Sequence, residues 1–159
     1  VVSTGWSFND PGGRGNQTGG SGNFAIVDSD KAGNVALNTE LRTPLMDLSA
    51  LTAVTLTFKS DFHYYSGGDA EVADVDVSVN GASGPWANVW RRSGVDDRGP
   101  KTYTIDLTAL AAGQANVMIR FHYYNARYEW WWEIDDVQLG QCLPPGIQHY
   151  ELYLPLIIK

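Results

Sequence analysis

The sequence predicts an all-β domain, and three observations predict it. Seventeen glycines punctuate the chain. The stretches between them are rich in Val, Thr, Tyr and Trp, which suit a pleated, half-buried surface, and no long run carries the period of an amphipathic helix. At 159 residues one domain is expected, large enough to bury a core without help from metal or disulfide. The formal charge of −7 argues against nucleic acid or an anionic membrane as partner, because both demand clustered Lys and Arg. No stretch approaches the roughly 18 to 20 apolar residues of a membrane span. Cys142 is the single cysteine, so no internal disulfide forms and the cysteine count does not assign a compartment. The chain starts at Val1, as a processed or excised segment would, which leads us to expect secretion.

Taken in order, Trp6 and Phe8 mark a short strand, followed by NDPGGRGNQTGGSGN. That run has no GxxxxGK[ST] pattern and no helix behind it, so it reads as an ordered surface loop, not a phosphate cradle. FAIVDSDKAGN is an apolar strand, then Asp28 and Asp30, then Gly33 and Asn34. Oxygen ligands at i and i+2 before a turn suit a hard cation, whereas an Asx turn capping the strand is the plainer alternative. It is not an EF-hand, since the twelfth position counted from Asp28 is Thr39, where that loop requires Glu. Pro44 limits the next strand. AVTLTFKSDFHYY reads as a central strand with a bulge near Ser60 and with Asp61 among aromatics. VADVDVSVNG alternates, sending Val75, Val77 and Val79 inward and Asp74, Asp76 and Ser78 to solvent, and ends in an Asn80–Gly81 turn. In PWANVWRR a spacing of four puts Trp86 and Trp90 on one face, either filling the core or stacking on sugar rings. TYTIDL and NVMIRFHYY complete the set, and the repeat of FHYY at 62–65 and 121–124 hints at neighbouring strands.

WWWEIDDVQLG, residues 130–140, is the densest stretch. Alternation assigns Trp130, Trp132, Ile134 and Asp136 to one face and Trp131, Glu133, Asp135 and Val137 to the other. Carboxylates beside that much apolar surface need partners, and few cations lie near in sequence, so calcium is the expected counter-charge. EIDD is similar to the EIDxE signature of laminarinase-like glycoside hydrolases, but Val137 stands where the third acid belongs, and such chemistry needs two carboxylates flanking the bond. His63, His122 and His149 carry no recognisable catalytic or zinc signature. No enzymatic activity is expected.

After Gly140 comes a Pro/Gly linker at 141–147, and then an apolar strand at 148–159 with Tyr150, Leu152, Leu154, Leu156 and Ile158 on one face. Pro155 lacks an amide hydrogen and excludes a central position, so the tail belongs at a sheet edge. It either folds back on its own sandwich or is donated to a neighbouring subunit, which would build a head-to-tail filament.

The segments GWSFNDPGGRGN, FAIVDSDKAGN, LRTPLMDLSAL, LTFKSDF, ADVDVSVNG with PWANVW, YTIDLTAL, IRFHYY and WWWEIDDVQLG, in that order, resemble the bacterial extracellular jelly-roll modules related to MAM and cleaved-adhesin domains, which are appended to secreted peptidases and surface proteins. The resemblance implies an antiparallel two-sheet jelly-roll sandwich over residues 1–140, a non-catalytic role and an extracellular or cell-surface location. It also implies a structural calcium on Asp28, Asp30, Asp61 and one of Asp135 or Asp136. The expected metal ligands are thus Asp28, Asp30, Asp61 and Asp136, with Asn34 and Asp135 as further candidates. Two functional classes follow. One is a structural or adhesive module whose partners are domains of a parent protein or further copies of itself, joined through Leu152, Leu154, Leu156 and Ile158. The other is a carbohydrate-binding module, accessory to a secreted hydrolase, stacking sugars on Trp86, Trp90 or Trp131. The expected core is Trp6, Phe24, Ile26, Leu56, Phe58, Val75, Val77, Val79, Ile119, Phe121 and Ile134.

Overall fold

The computed structural model describes residues 5–140 in full and the backbone of 151–153 and 157–158. The 141–147 linker, Leu154 and Leu156 lie outside the described residues. The strands are β1 (Ala25–Asp28), β2 (Leu37–Arg42), β3 (Thr55–His63), β4 (Val72–Ser78), β5 (Ala87–Ser93), β6 (Asp97–Asp106), β7 (Met118–Ala126), β8 (Trp131–Gly140), β9 (Glu151–Tyr153) and β10 (Ile157–Ile158). Among the described residues helix is confined to single turns, α1 (Ser29–Ala32), α2 (Thr108–Ala111) and a 3-10 turn at Gly81–Ser83. The strands form two five-stranded sheets. The first runs β1-β8-β3-β6, with β9 also paired to β8; the second runs β10-β2-β7-β4-β5. Every pairing is antiparallel, so the chain is the two-sheet all-β sandwich that the sequence predicts.

The core lies between the sheets and is aromatic at its centre. Phe58 of β3 meets Phe121 of β7 edge-on, with ring centroids 5.4 Å apart. Trp132 of β8 packs edge-on against Trp6 at 5.2 Å and stacks on Trp90 at 5.7 Å. The two FHYY strands therefore face each other across the interior and are not side by side in one sheet. Phe24 and Ile26 depart from expectation too. They form a separate cluster with Trp131, on the outer face of the first sheet, while Ala25 and Val27 point into the main core.

Bulges account for the faces that alternation misassigns. Opposite Thr57 and Lys59 of β3, β8 spends an extra residue between Asp135 and Gln138, and Asp136 takes a left-handed φ of 47°. Beyond that point the alternation inverts, so Val137 and Leu139 are core residues and Asp136 is exposed. In β5 the register slips between the partners of Val75 and Asp76, and Val89 is the extra residue. Trp90 consequently turns inward, 8% exposed, while Trp86 stays on the outer face. One inserted residue is enough to do this, because the side-chain period of a strand is two.

The tail strands pair within the chain. Gln138 to Gly140 of β8 align with Tyr153 to Glu151, and Arg42 and Leu41 of β2 align with Ile157 and Ile158.

Candidate functional site

The acids singled out by the sequence collect mostly on the outer face of the first sheet. Register puts Trp131 between Asp28 and His63, and Glu133 between Ile26 and Asp61. Over this face folds the glycine-rich loop. Its start is held by Asp10, whose carboxylate accepts from the amides of Arg14 and Gly15, both at 2.9 Å. Asn16 Nδ2 then donates to Asp135 Oδ2 at 2.8 Å and the Gln17 amide to Glu133 Oε2 at 2.8 Å. The loop approaches the acids closely at two glycines: a Cβ on Gly12 would displace the carboxylate of Asp28, and one on Gly20 that of Asp135.

Two arginines supply the counter-charge. Arg14 forks onto Asp28 at 2.8 and 3.1 Å and reaches Asp30 at 2.6 Å. Its guanidinium carbon lies 4.3 Å from the centroid of the Trp131 ring. Arg98 binds Asp61 at 2.7 Å and lies 5.4 Å from the same ring. Asp61 also accepts from the Gly99 amide at 2.6 Å and from Trp131 Nε1 at 3.3 Å. Asp28 has a further role as the cap of α1, accepting from the Lys31 amide at 2.8 Å. Glu133 is fully buried and its Oε1 has no partner. Burial pushes its carboxyl up to about 8 against the pull of the Gln17 hydrogen bond, and the charge of Asp61 adds to the rise.

This arrangement does not fit the calcium site expected from the sequence. Guanidiniums already stand beside Asp28, Asp30 and Asp61. Asp136 is on the bulge, salt-bridged to Lys59 at 2.8 Å, and Glu133 holds the position across from Asp61. Asn34 is exposed, and Asp135 is engaged by Asn16. Among the described residues no three His, Cys, Asp or Glu side chains converge as a metal-ligand set.

The expected stacking surface changes as well. Trp90 belongs to the core and Trp131 is 9% exposed beneath the two arginines, so neither presents a free ring face. Trp86 is half-buried and lies under Arg120 and Arg42, at 4.5 and 5.2 Å. Around it the outer face of the second sheet is a charged lattice. Arg120 joins Glu40 to Asp76 at 2.6 and 2.8 Å, and Arg91 binds Asp74 at 2.7 Å. Asp74 and Asp76 are therefore buried ion-pair members, not the solvated residues their outward alternation suggests.

A group of exposed aromatic rings lies at one end of the sandwich, where α1, the β3–β4 loop and the β7–β8 loop meet. An open cleft of about 530 Å³ is lined there by Asp30, Tyr65, Gly67, Gly68, Arg127, Tyr128 and Trp130. Tyr65 is 42% and Tyr128 61% exposed. The Trp130 ring is fixed by stacking on His63 at 4.8 Å and by the edge of Tyr65 at 6.1 Å. Loop residues carry no periodicity, so the sequence signals this cleft only through the chemistry of aromatics in irregular segments.

No protein-family model and no curated protein sequence matches the chain. Among solved structures, the K1 cleaved adhesin domain of Lys-gingipain from Porphyromonas gingivalis superposes with a TM-score of 0.59 at 19% identity, covering 86% of this chain and 83% of that domain. The K3 cleaved adhesin domain of the same protein gives a TM-score of 0.53 at 18% identity, covering 84% and 90%. The chain therefore has the fold of a cleaved-adhesin-like β-sandwich module.

Proposed function

We propose that this chain is a non-catalytic extracellular adhesive module, a rigid sandwich that holds its ligand in the aromatic cleft at the α1 end. The observation that carries this reading is the cleft itself: Tyr65 and Tyr128 are exposed beside Trp130, with Asp30 and Arg127 as flanking polar groups. Aromatic rings with an apolar body and a few convergent polar groups are what a binding site needs for affinity and orientation. A carbohydrate suits that chemistry, its apolar ring faces meeting the aromatics and its hydroxyls meeting the charged groups. Against catalysis stands the disposition of the acids on the sheet face, which lie under the N-terminal loop and are tied to arginines, not poised across an open cleft.

A glycan array with the intact protein tests the binding reading. Binding is expected for a defined set of glycans and is expected to fall at least about tenfold in Tyr128→Ala, the loss of one well-placed contact. An array without hits, or hits untouched by Tyr128→Ala and Trp130→Ala, would remove the cleft from the account. Deleting residues 148–159 tests the tail. A folded monomer by sedimentation is expected from both the full and the shortened chain, and oligomers present only in the full chain would restore strand donation.

A further inference from the structure

Arginine in this chain is almost wholly committed to carboxylates. Arg14, Arg42, Arg91, Arg92, Arg98 and Arg120 each form an ion pair with an aspartate or a glutamate. Arg127 is the exception. It is exposed, and no carboxylate among the described residues pairs with it.

Its place is fixed from both sides. Ala126, which ends β7, is 1% exposed, and Glu129 is equally buried, with its amide donating to Ser29 Oγ at 3.1 Å. Between these anchors Arg127 and Tyr128 are both exposed. The backbone turns there through left-handed residues, Asn125 at a φ of 53° and Tyr128 at 62°. Asparagine enters this region readily, but a bulky aromatic residue is rare in it. Such a conformation is costly and persists only where its surroundings hold it, a pattern concentrated at binding and catalytic sites. The pinned connection thus offers a guanidinium and a phenol ring, from consecutive residues, to the aromatic cleft that both of them line.

The charge of that cleft rests on Arg127. Asp30 is the other charged residue of the lining, and its carboxylate is occupied by Arg14 at 2.6 Å. Arg127 also lines a second cleft of about 390 Å³ together with the exposed Asp69, without an ion pair between the two. A free guanidinium is a planar fork of donors that matches a carboxylate with two parallel hydrogen bonds. Beside it the rings of Tyr128 and Trp130 supply apolar surface. A carboxylate on a sugar ring stands at the ring's edge, which leaves the faces free to lie against an aromatic. A neutral sugar would leave the fork unused.

We propose that the aromatic cleft selects acidic saccharides, with Arg127 clamping a sugar carboxylate and Tyr128 packing against the ring that bears it. This rests on the carbohydrate-binding reading of the cleft and narrows it to one chemical class, to which hexuronates and sialates both belong. General attraction does not account for such a preference, since a net charge of −7 repels anionic glycans at long range.

Calorimetric titration of the intact protein with two matched pairs tests it: trigalacturonate against its carboxyl-reduced neutral form, and sialyllactose against lactose. In at least one pair the acidic member is expected to bind about tenfold tighter or more, and the pair that shows it identifies the source of the carboxylate. Arg127→Gln is expected to bring the acidic member down to the affinity of the neutral one, with neutral binding and the thermal midpoint unchanged. Arg127→Lys, which keeps the charge without the fork, is expected to recover only part of the preference. Equal affinity within both pairs, or an acidic preference that persists in Arg127→Gln, overturns the proposal while carbohydrate binding stands. A lowered midpoint with loss of both members would make Arg127 structural and overturns it as well. Titrations in which no member of either pair binds also overturn it, and the glycan array then decides whether the carbohydrate reading survives.

Discussion

Arg14 shows how far a single side chain can organise this molecule. It neutralises Asp28, reaches Asp30, covers Trp131 and pins the N-terminal loop. Replacing it by methionine keeps most of the apolar stem and removes the charge, leaving Asp28, whose side chain is 2% exposed, without a counter-ion. Removing one partner of a buried pair costs about 3 to 5 kcal/mol, and the partial exposure of Arg14 places Arg14→Met at the lower end, about 3 kcal/mol by urea unfolding. A double variant with Asp28→Asn should cost less than the sum of the two singles. The need of these acids for partners was legible in the sequence. The partners were not, because Arg14 and Arg98 lie 14 and 37 positions from the aspartates they bind, and only the fold joins them. The burial of Glu129, 1% exposed, was not legible for another reason: it precedes β8 in an irregular segment, where no periodicity indicates burial.

At the scale of the strand, alternation identifies elements well and faces less well. β4 behaves as its pattern requires for Val75 and Val77, yet its outward aspartates are buried because neighbouring strands bring arginines over them. β8 follows its pattern from Trp132 to Ile134 and then inverts at Asp136. That residue's φ of 47° predicts a sharp asymmetry between substitutions. Asp136→Gly should leave stability within about 0.5 kcal/mol, whereas a β-branched Asp136→Val should cost about 1 to 2 kcal/mol, measurable as a shift in the denaturant midpoint. Pairing partners were legible least. The FHYY repeat falls on β7 and on β3 with the loop that follows it, which belong to different sheets; Phe62 and Phe121 are both core residues, but Tyr123 is buried where Tyr64 is half-buried, and Tyr65 is exposed.

For the molecule as a whole, the two-sheet architecture and most of its core followed from pattern and composition, while the cleft did not, because it depends on how three loops converge. Global stability should also carry a mark of Glu133. Its carboxyl is raised to about 8 by burial, so between the ordinary carboxylate range and that pH the folded chain keeps a proton that the unfolded chain releases. Stability should therefore fall as pH rises through this window, and Glu133→Gln should flatten the slope in thermal melts taken from pH 5 to about pH 8. The pairing of Ser7 with Ile26 has a mechanical consequence. Ser7 runs antiparallel to β1, and β1 runs antiparallel to β8, so the entering segment and β8 point the same way. A pull through Gly5 and Gly140 would then act along the strands in opposite senses. The transverse hydrogen bonds between strands would be loaded together, in shear, instead of being opened one after another. Single-molecule extension between those two points should give one high-force event, and a Ser7→Pro variant, which removes the amide bonded to Ile26, should lower it. Loaded through those two points, the sandwich would by this geometry resist extension in shear.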